Sequence, residues 1–269
     1  ATFTSKERDE MIRENVIKRR LQEGSNIIPM WSQSGSATIV EAAVHAGWEC
    51  ILIDNEHGFA GLETTIHLIR AVESAGGHAA LRVPWNDPVY LKRILDIGVQ
   101  VLMIPMIANR EQAEAAVSAC KYPPRGWRGN AHAVVRASGY GADPDYGKKA
   151  NDEVLLIAQI EQREALDNIE EIAAVDGIDM LFIGPNDLAG SMGNFEDLGN
   201  PEVHRAIEKA ETRILASGKL LGGFPLPGKS NQEMEERGYR FVARHCDIYL
   251  FRTAAAEAAT TEPHKSNHP

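Results

Sequence analysis

Two short stretches bring together residue types that can do chemistry. Gln159-Ile160-Glu161 and Gly184-Pro185-Asn186-Asp187 each stand where an apolar run stops: residues 154–160 read V-L-L-I-A-Q-I and residues 178–183 read I-D-M-L-F-I. Near-continuous apolar runs of this length suit parallel strands covered on both faces. Between them, Gln162–Val175 shows helical spacing at Ala165, Leu166, Ile169 and Ile172. Strand, helix and strand then form one right-handed crossover, with the two strands about 4.8 Å apart if they are neighbours. Glu161 and Asp187 are expected at one sheet edge, close enough to share a hard cation. Two carboxylates held together without a cation repel, and one tends to keep its proton. A divalent, oxygen-ligated ion removes that conflict.

The rest of the chain must position these groups. It has 269 residues, 43% hydrophobic and 25% charged, and a formal net charge of −10. With no dense Lys/Arg cluster, this balance argues against nucleic acid or an anionic membrane as partner. No apolar run reaches the roughly 18 residues of a membrane span. The first residues lack the apolar stretch of a signal peptide. Cys50, Cys120 and Cys246 are widely spaced and odd in number, which suits free thiols in a reducing cytoplasm.

Strands are expected at 26–31, 48–54, 78–84, 99–105, 154–161, 178–184, 219–224 and 240–243, the last being the weakest. A helix is expected after each, at 36–46, 62–74, 88–97, 110–121, 163–175, 201–217, 231–237 and 247–258. Eight such units within one domain's length, without a glycine fingerprint after the first strand, predict an α/β fold of the (βα)8 TIM-barrel type. Residues 1–25 read as a helical extension outside the main fold, 26–259 as the barrel and 260–269 as a polar tail. The long Gly-, Pro- and Arg-rich segment 122–150 interrupts the alternation on the way to the fifth strand.

In such a barrel the reactive groups gather at the C-terminal strand ends. Those ends hold Trp31, then Asp54, Glu56 and His57, Arg82, Gln159 and Glu161, and finally Asn186 and Asp187. A cation chelated by the carboxylate and ketone oxygens of a 2-oxo acid would let the C3 proton or the C3–C4 bond be lost. Arg82 can put fixed positive charge on the developing enolate oxygen, and His57 can move a proton. Gly184-Pro185-Asn186 opens a loop whose N–H groups are expected to hold the substrate carboxylate. Three rival readings exist. The stretch 223–230 matches the G-x-x-x-x-G-K-[ST] phosphate-loop pattern, but Pro225 and Pro227 remove two of the donors such a loop needs. A Schiff-base aldolase needs a lysine at an active strand end, and none is expected there. A catalytically silent scaffold would not gather its polar groups at one mouth.

The motifs I-D-N-E-H (53–57), L-R-V-P-W-N-D-P (81–88), Y-P-P-R-G-W-R-G (122–129), Q-I-E (159–161) and F-I-G-P-N-D-L (182–188) resemble, in order, those of the HpcH/HpaI family of class II, metal-dependent pyruvate aldolases. That resemblance implies reversible cleavage of a 4-hydroxy-2-oxo acid to pyruvate and an aldehyde through a metal-bound pyruvate enolate. It implies Glu161 and Asp187 as ligands of Mg2+, with Mn2+ or Co2+ as alternatives, and Arg82 on the ketone or enolate oxygen. It gives acid–base work to His57 with Asp54, and a site lined by Gln159 and Trp31. It further implies a homohexamer in which Asp96 approaches the neighbouring subunit's histidine. Oxaloacetate decarboxylation, as in the macrophomate-synthase-like branch, leaves the same enolate and is the alternative activity. Asn186 and the stretch 222–227 depart from the bacterial pattern.

Overall fold

Apolar runs alternating with amphipathic stretches bury most surface when strands lie inside and helices outside. The computed structural model, which describes residues 14–261, has that layering. Its elements are α1 (Val16–Gln22), β1 (Met30–Ser32), α2 (Ala37–His45), β2 (Cys50–Asp54), α3 (Leu62–Ser74), β3 (His78–Arg82), α4 (Pro88–Ile97), β4 (Val101–Ile104), α5 (Arg110–Cys120), α6 (Tyr146–Lys149), β5 (Leu155–Ile160), α7 (Arg163–Asp167), α8 (Ile169–Ala173), β6 (Met180–Ile183), α9 (Pro185–Ser191), α10 (Pro201–Ala216), β7 (Leu220–Gly223), α11 (Asn231–Glu236), β8 (Tyr239–Val242), β9 (His245–Cys246) and α12 (Asp247–Thr261). Side chains that accept first-turn N–H groups fix several helix starts: Ser36, Asp87, Asn109, Asn200 and Ser230.

All nine strands lie in one curled parallel sheet, ordered β8-β7-β6-β5-β4-β3-β2-β1-β9. Its ends meet: Ile27, just ahead of β1, bridges Phe241 in β8, and β9 pairs with β1. The eighth strand is thus broken at 243–244, where the sequence pattern was weakest.

Alternation along each strand sorts residues into two layers. Ile51, Ile53, Leu81, Leu102, Leu156 and Leu181 face the helices. Leu52, Ala80, Met103, Ile157, Phe182 and Phe241 fill the interior. Gly222 leaves room there, since a Cβ on it would stand 2.8 Å from both Met180 Sδ and Phe182. Carried to the strand ends, the same alternation turns Asp54, Arg82 and Gln159 inward.

Three expectations change. The helix expected at 163–175 is two short ones, α7 and α8, meeting at Asn168, whose side chain donates to Ala108 O. The loop expected after β6 is α9, begun by Pro185. The helical residues near the N-terminus do not lie outside the fold, although residues 1–13 of the expected extension are outside those described. Ile17 and Leu21 of α1 pack with the interior layer. Asn15 Nδ2 donates to Gln100 O and Glu153 O, and Lys18 Nζ to Asp152 O and Val154 O. These carbonyls precede β4 and β5, so α1 stops the end of the sheet opposite the strand C-termini.

Leu21→Ala should therefore lower unfolding stability by about 2–5 kcal/mol, measured by denaturant titration. A change below about 0.5 kcal/mol would show that α1 only rests on the surface.

Candidate functional site

The interior layer ends in a cleft of about 400 Å³ at the strand C-termini, lined by Trp31, Gln33, His57, Arg82, Gln159, Gly184, Pro185, Asn186, Asp187, Phe224, Arg244, His245 and Cys246. Asp54 and Arg82 are direct cross-strand partners in the β2–β3 register. Arg82 Nε donates to Asp54 Oδ1 at 3.0 Å and Nη2 to Oδ2 at 2.7 Å. Trp31 Nε1 and Gln33 Nε2 also donate to Oδ2, at 2.9 and 3.2 Å. The N–H groups of Glu56 and His57 donate to Oδ1. Burial alone would raise the Asp54 carboxyl, but the hydrogen bonds and charge of Arg82, with Trp31 and the His57 N–H, outweigh it and hold it below its usual range.

This geometry overturns the pairing of Asp54 with the His57 imidazole. Asp54 receives only the backbone N–H of His57 and has no capacity left for the ring. The His57 side chain is 60% exposed, and its Nε2 lies 4.0 Å from Glu56 Oε2. Glu56, which the sequence placed at the same strand end but to which it gave no role of its own, is the carboxylate nearest the ring. Its Oε2 is 2.8 Å from Arg82 Nη1, but off the line of the N–H bonds, so the two are paired by charge without a hydrogen bond. Burial pushes the Glu56 carboxyl up; Arg82 and His57 oppose this, and Asp54 and Asp187 add to it. The Arg82 guanidinium also lies over Trp31, 4.5 Å from the ring centre. Arg82 is thus held on three sides and reaches the cleft through Nη1.

Glu161 is 1% exposed. Met106 N–H donates to its Oε1 at 2.8 Å, from a residue with φ of 57°, a strained conformation for a non-glycine. Gln159 Nε2 donates to Oε2. Neither donor carries a charge. Burial pushes the Glu161 carboxyl up to about 7, with repulsion from Glu56 and Asp187 adding to it. Gln159 Oε1 is buried without a hydrogen-bond partner. Gly184 has no side chain because a Cβ there would stand 2.8 Å from Glu161 Oε2 and 2.9 Å from Gln159 Nε2. Asp187 stands in the first turn of α9 and lines the cleft. The donor set therefore fits a hard divalent cation: two oxygen donors, a buried carboxylate short of positive charge, and an unpartnered amide oxygen. Among the described residues no three His, Cys, Asp or Glu side chains are placed to hold one ion together, so the two carboxylates would fill only part of its coordination shell.

Other expectations sort as follows. Gly184, Pro185 and Asn186 line the cleft, but the Gly184 N–H is spent on Ile160 O and Pro185 has none. Asn186 and Asp187 hold the remaining N–H groups of that stretch. Asp96 does not line the cleft; it pairs with Arg128 Nη2 at 2.6 Å, near the N-terminal end of β4. Arg125 pairs with Asp152. No lysine lines the cleft. The phosphate-loop look-alike is a helix start: Ser230 and Glu233 form a capping box and Lys229 pairs with Glu233. The three cysteines are free thiols. No helix among the described residues is long and apolar enough to cross a membrane.

A carboxyl pushed from an ordinary 4.5 to about 7 stabilises the fold below the lower value and loses that contribution as pH rises through the upper one. In chelator, unfolding stability should fall by about 3 kcal/mol between pH 4.5 and 8 on account of Glu161. Glu161→Gln should flatten the fall. A slope as steep in the variant would assign it to other groups.

Residues 28–254 match the family model for HpcH/HpaI aldolase/citrate lyase. The chain is 39% identical over 246 residues to a 4-hydroxy-2-oxo-heptane-1,7-dioate aldolase of Escherichia coli, covering 91% of this chain and 94% of that one. It is 38% identical over 240 residues to a 2-keto-3-deoxy-L-rhamnonate aldolase of Escherichia coli O1:K1 / APEC, covering 89% and 90%. Among solved structures, an HpcH/HpaI aldolase/citrate lyase family protein from Burkholderia cenocepacia J2315 superposes with a TM-score of 0.87 at 33% identity, covering 91% of this chain and 98% of that one. Macrophomate synthase shares the fold, with a TM-score of 0.80 at 23% identity and coverage of 97% and 98%. Matched to the family model over residues 28–254 and to these aldolases over nearly its whole length, the chain belongs to the HpcH/HpaI aldolase/citrate lyase family.

Proposed function

We propose that the chain is a divalent-metal-dependent aldolase that reversibly cleaves a 4-hydroxy-2-oxo acid to pyruvate and an aldehyde. The class, an aldolase-type carbon–carbon lyase, follows from its family. The observation that carries the metal-dependent reading is Glu161: a buried carboxylate, repelled by two others and given only neutral donors. Glu161 and Asp187 would hold the cation, Mg2+ first and Mn2+ or Co2+ as alternatives. When bound, it would supply electrophilic pull on the C2 carbonyl oxygen and neutralise the substrate carboxylate.

The chain's own residues supply the rest. Arg82, fixed by Asp54, keeps Nη1–H free for the C2 oxygen as negative charge collects there. Proton removal from the C4 hydroxyl breaks the C3–C4 bond, releases the aldehyde and leaves its electrons on the C2 oxygen; C3 is then protonated to give pyruvate. Glu56 and His57, adjacent and facing Arg82 and Asp187, are the groups for those transfers, with Glu56 in the place first expected for Asp54. Trp31 and Gln159 hold the neighbouring side chains. The aromatic pair Trp31–Phe224, 4.9 Å between ring centres, walls the aldehyde side.

Loss of CO2 from oxaloacetate would leave the same enolate without removing a hydroxyl proton. The shared cleft keeps that activity as an alternative. We read the architecture as a closed (βα)8 barrel, supported by the Ile27–Phe241 bridge. We also read the enzyme as a cytoplasmic homo-oligomer, a hexamer in the family pattern. Support comes from α12, which stands exposed from Phe251 to Thr260 and carries Phe251 at 69% exposure.

Pyruvate release from a panel of 4-hydroxy-2-oxo acids and oxaloacetate tests the reading. EDTA should abolish it and Mg2+, Mn2+ or Co2+ restore it; full activity in chelator would refute the metal mechanism. Arg82→Ala should lose about 100-fold or more in turnover, and near-normal turnover would make Arg82 structural. Glu56→Gln should slow retro-aldol cleavage far more than oxaloacetate decarboxylation. Equal losses would remove Glu56 from proton transfer.

A further inference from the structure

Asp247, the first residue of α12, is a buried carboxylate that the mechanism does not use, and it does not line the cleft. Its hydrogen bonds come from neutral donors. Ser32 Oγ and Ser34 Oγ donate to Oδ2 at 3.1 and 2.6 Å. The N–H groups of Gln33 and Ser34 donate to Oδ1 and Oδ2 at 3.0 and 3.1 Å, and that of Ile248 to Oδ1 at 2.8 Å. Together they outweigh burial and hold the Asp247 carboxyl below its usual range. Four of these five donors belong to residues 32–34. Since β1 ends at Ser32, Gln33 lies beyond the strand. Asp247 fixes it from the α12 side, while the Gln33 carbonyl accepts the Phe59 N–H at 3.0 Å.

The Gln33 side chain turns to the cleft. Its Nε2 donates to Asp54 Oδ2 at 3.2 Å, and its Oε1 accepts from Cys246 Sγ at 3.1 Å. The amide is thus engaged at both ends, and turning it over would set Oε1 against the Asp54 carboxylate. Asp54 Oδ2 is the atom that takes Arg82 Nη2 at 2.7 Å. The place of the Arg82 guanidinium therefore depends on a carboxylate that is itself held by other donors. Trp31 belongs to β1, and the Glu56 and His57 N–H groups to the loop that Asp54 begins. Gln33 brings in α12.

We propose that Gln33, seated by Asp247, is a positioning residue: through Asp54 it sets where the Arg82 guanidinium stands relative to the C2 oxygen of the substrate. The first turn of α12 is thereby coupled to the step in which charge collects on that oxygen. This rests on the aldolase reading above. A misplacement of about 1 Å can cost on the order of 100-fold in rate, so a neutral hydrogen bond that steadies Asp54 counts beyond its own strength.

The test compares wild type, Gln33→Met, Asp247→Asn and the double variant, each as the full chain with Mg2+. The substrate is the 4-hydroxy-2-oxo acid that the wild type cleaves best, and a denaturant midpoint is recorded for every variant. Gln33→Met keeps the length of the side chain and removes the amide. It should lower kcat about 10-fold, as for a hydrogen bond to a charged group, with KM within about twofold of wild type. Asp247→Asn turns an amide NH2 towards the donors of residues 32–34 and should cost kcat a similar factor. Because both act through one contact, the double variant should stay within about threefold of the slower single variant, whereas independent losses would multiply to about 100-fold. Gln33→Met turnover within about twofold of wild type overturns the inference, whatever the stability of Asp247→Asn. So does a rise in KM at unchanged kcat, which would put the Gln33 amide on the substrate, and so do multiplied losses in the double variant. Each of these leaves the aldolase reading intact; that reading falls if the wild type releases no pyruvate from any 2-oxo acid.

Discussion

A carboxylate denied water and any charged hydrogen-bond donor is the constraint on which the site depends. Glu161 is almost fully buried, receives hydrogen bonds only from neutral donors, and feels Glu56 and Asp187. Left alone, such a group protonates or destabilises its surroundings. Everything around it maintains the condition: Met106 holds a strained backbone to offer its N–H, Gly184 gives up a side chain, and Gln159 turns its amide nitrogen towards the carboxylate with its oxygen unpartnered. A fold selected only for stability would have replaced this arrangement with apolar packing. Its place beside Gln159, Gly184 and Asp187, which line the cleft, gives the site its chemical meaning.

Asp54 is the counterweight. It also is buried, but it accepts six hydrogen bonds, two of them from a guanidinium. Two carboxylates within one site thus have opposite fates, decided by the donors each receives. Asp54 stays charged and rigid and fixes Arg82, Trp31 and the backbone that carries Glu56 and His57. Glu161 stays short of positive charge. Placing Arg82 against Asp54 by cross-strand register, rather than by side-chain reach, leaves little rotamer freedom to lose when substrate arrives.

How much of this was legible in the sequence follows from where each signal is encoded. Strands β2 to β7 are apolar runs, and their ends named Asp54, Arg82, Gln159 and Glu161, because strand alternation is a local property. The closing eighth strand was less legible: its break between Val242 and His245 is set by pairing with Ile27 and with β1, contacts more than 200 residues away in the chain. Helix α9 was read as a loop because Gly184-Pro185 opens either structure. The docking of α1 depends on two apolar residues among charged ones, Ile17 and Leu21, whose burial follows from their packing on the interior layer of the curled sheet. Joint work for Asp54 and His57 came from the family resemblance, and their side-chain directions beyond the strand end are a tertiary fact that no local pattern encodes.

The same division separates the two halves of the cleft. Its floor is built from strand-end residues whose orientation the pleat dictates, so the pyruvyl side follows from the fold itself. Its rim is built from Phe224, Arg244 and His245, which stand where β7 ends and the eighth strand breaks, and no periodicity governs those positions. Of these, Phe224 packs on Trp31 and Phe182 of the interior layer, whereas the Arg244 guanidinium hydrogen-bonds only to Lys229 O and Asn231 Oδ1. A curled sheet built this way can keep its strand-end floor constant while its rim varies. Relatives matching this chain at 39% and 38% identity and named for different substrates accord with that separation. The last ladder bond before the break, Ala243 N–H to Gly223 O, holds the chain to β7, and Arg244 is the residue between that bond and β9 that lines the rim.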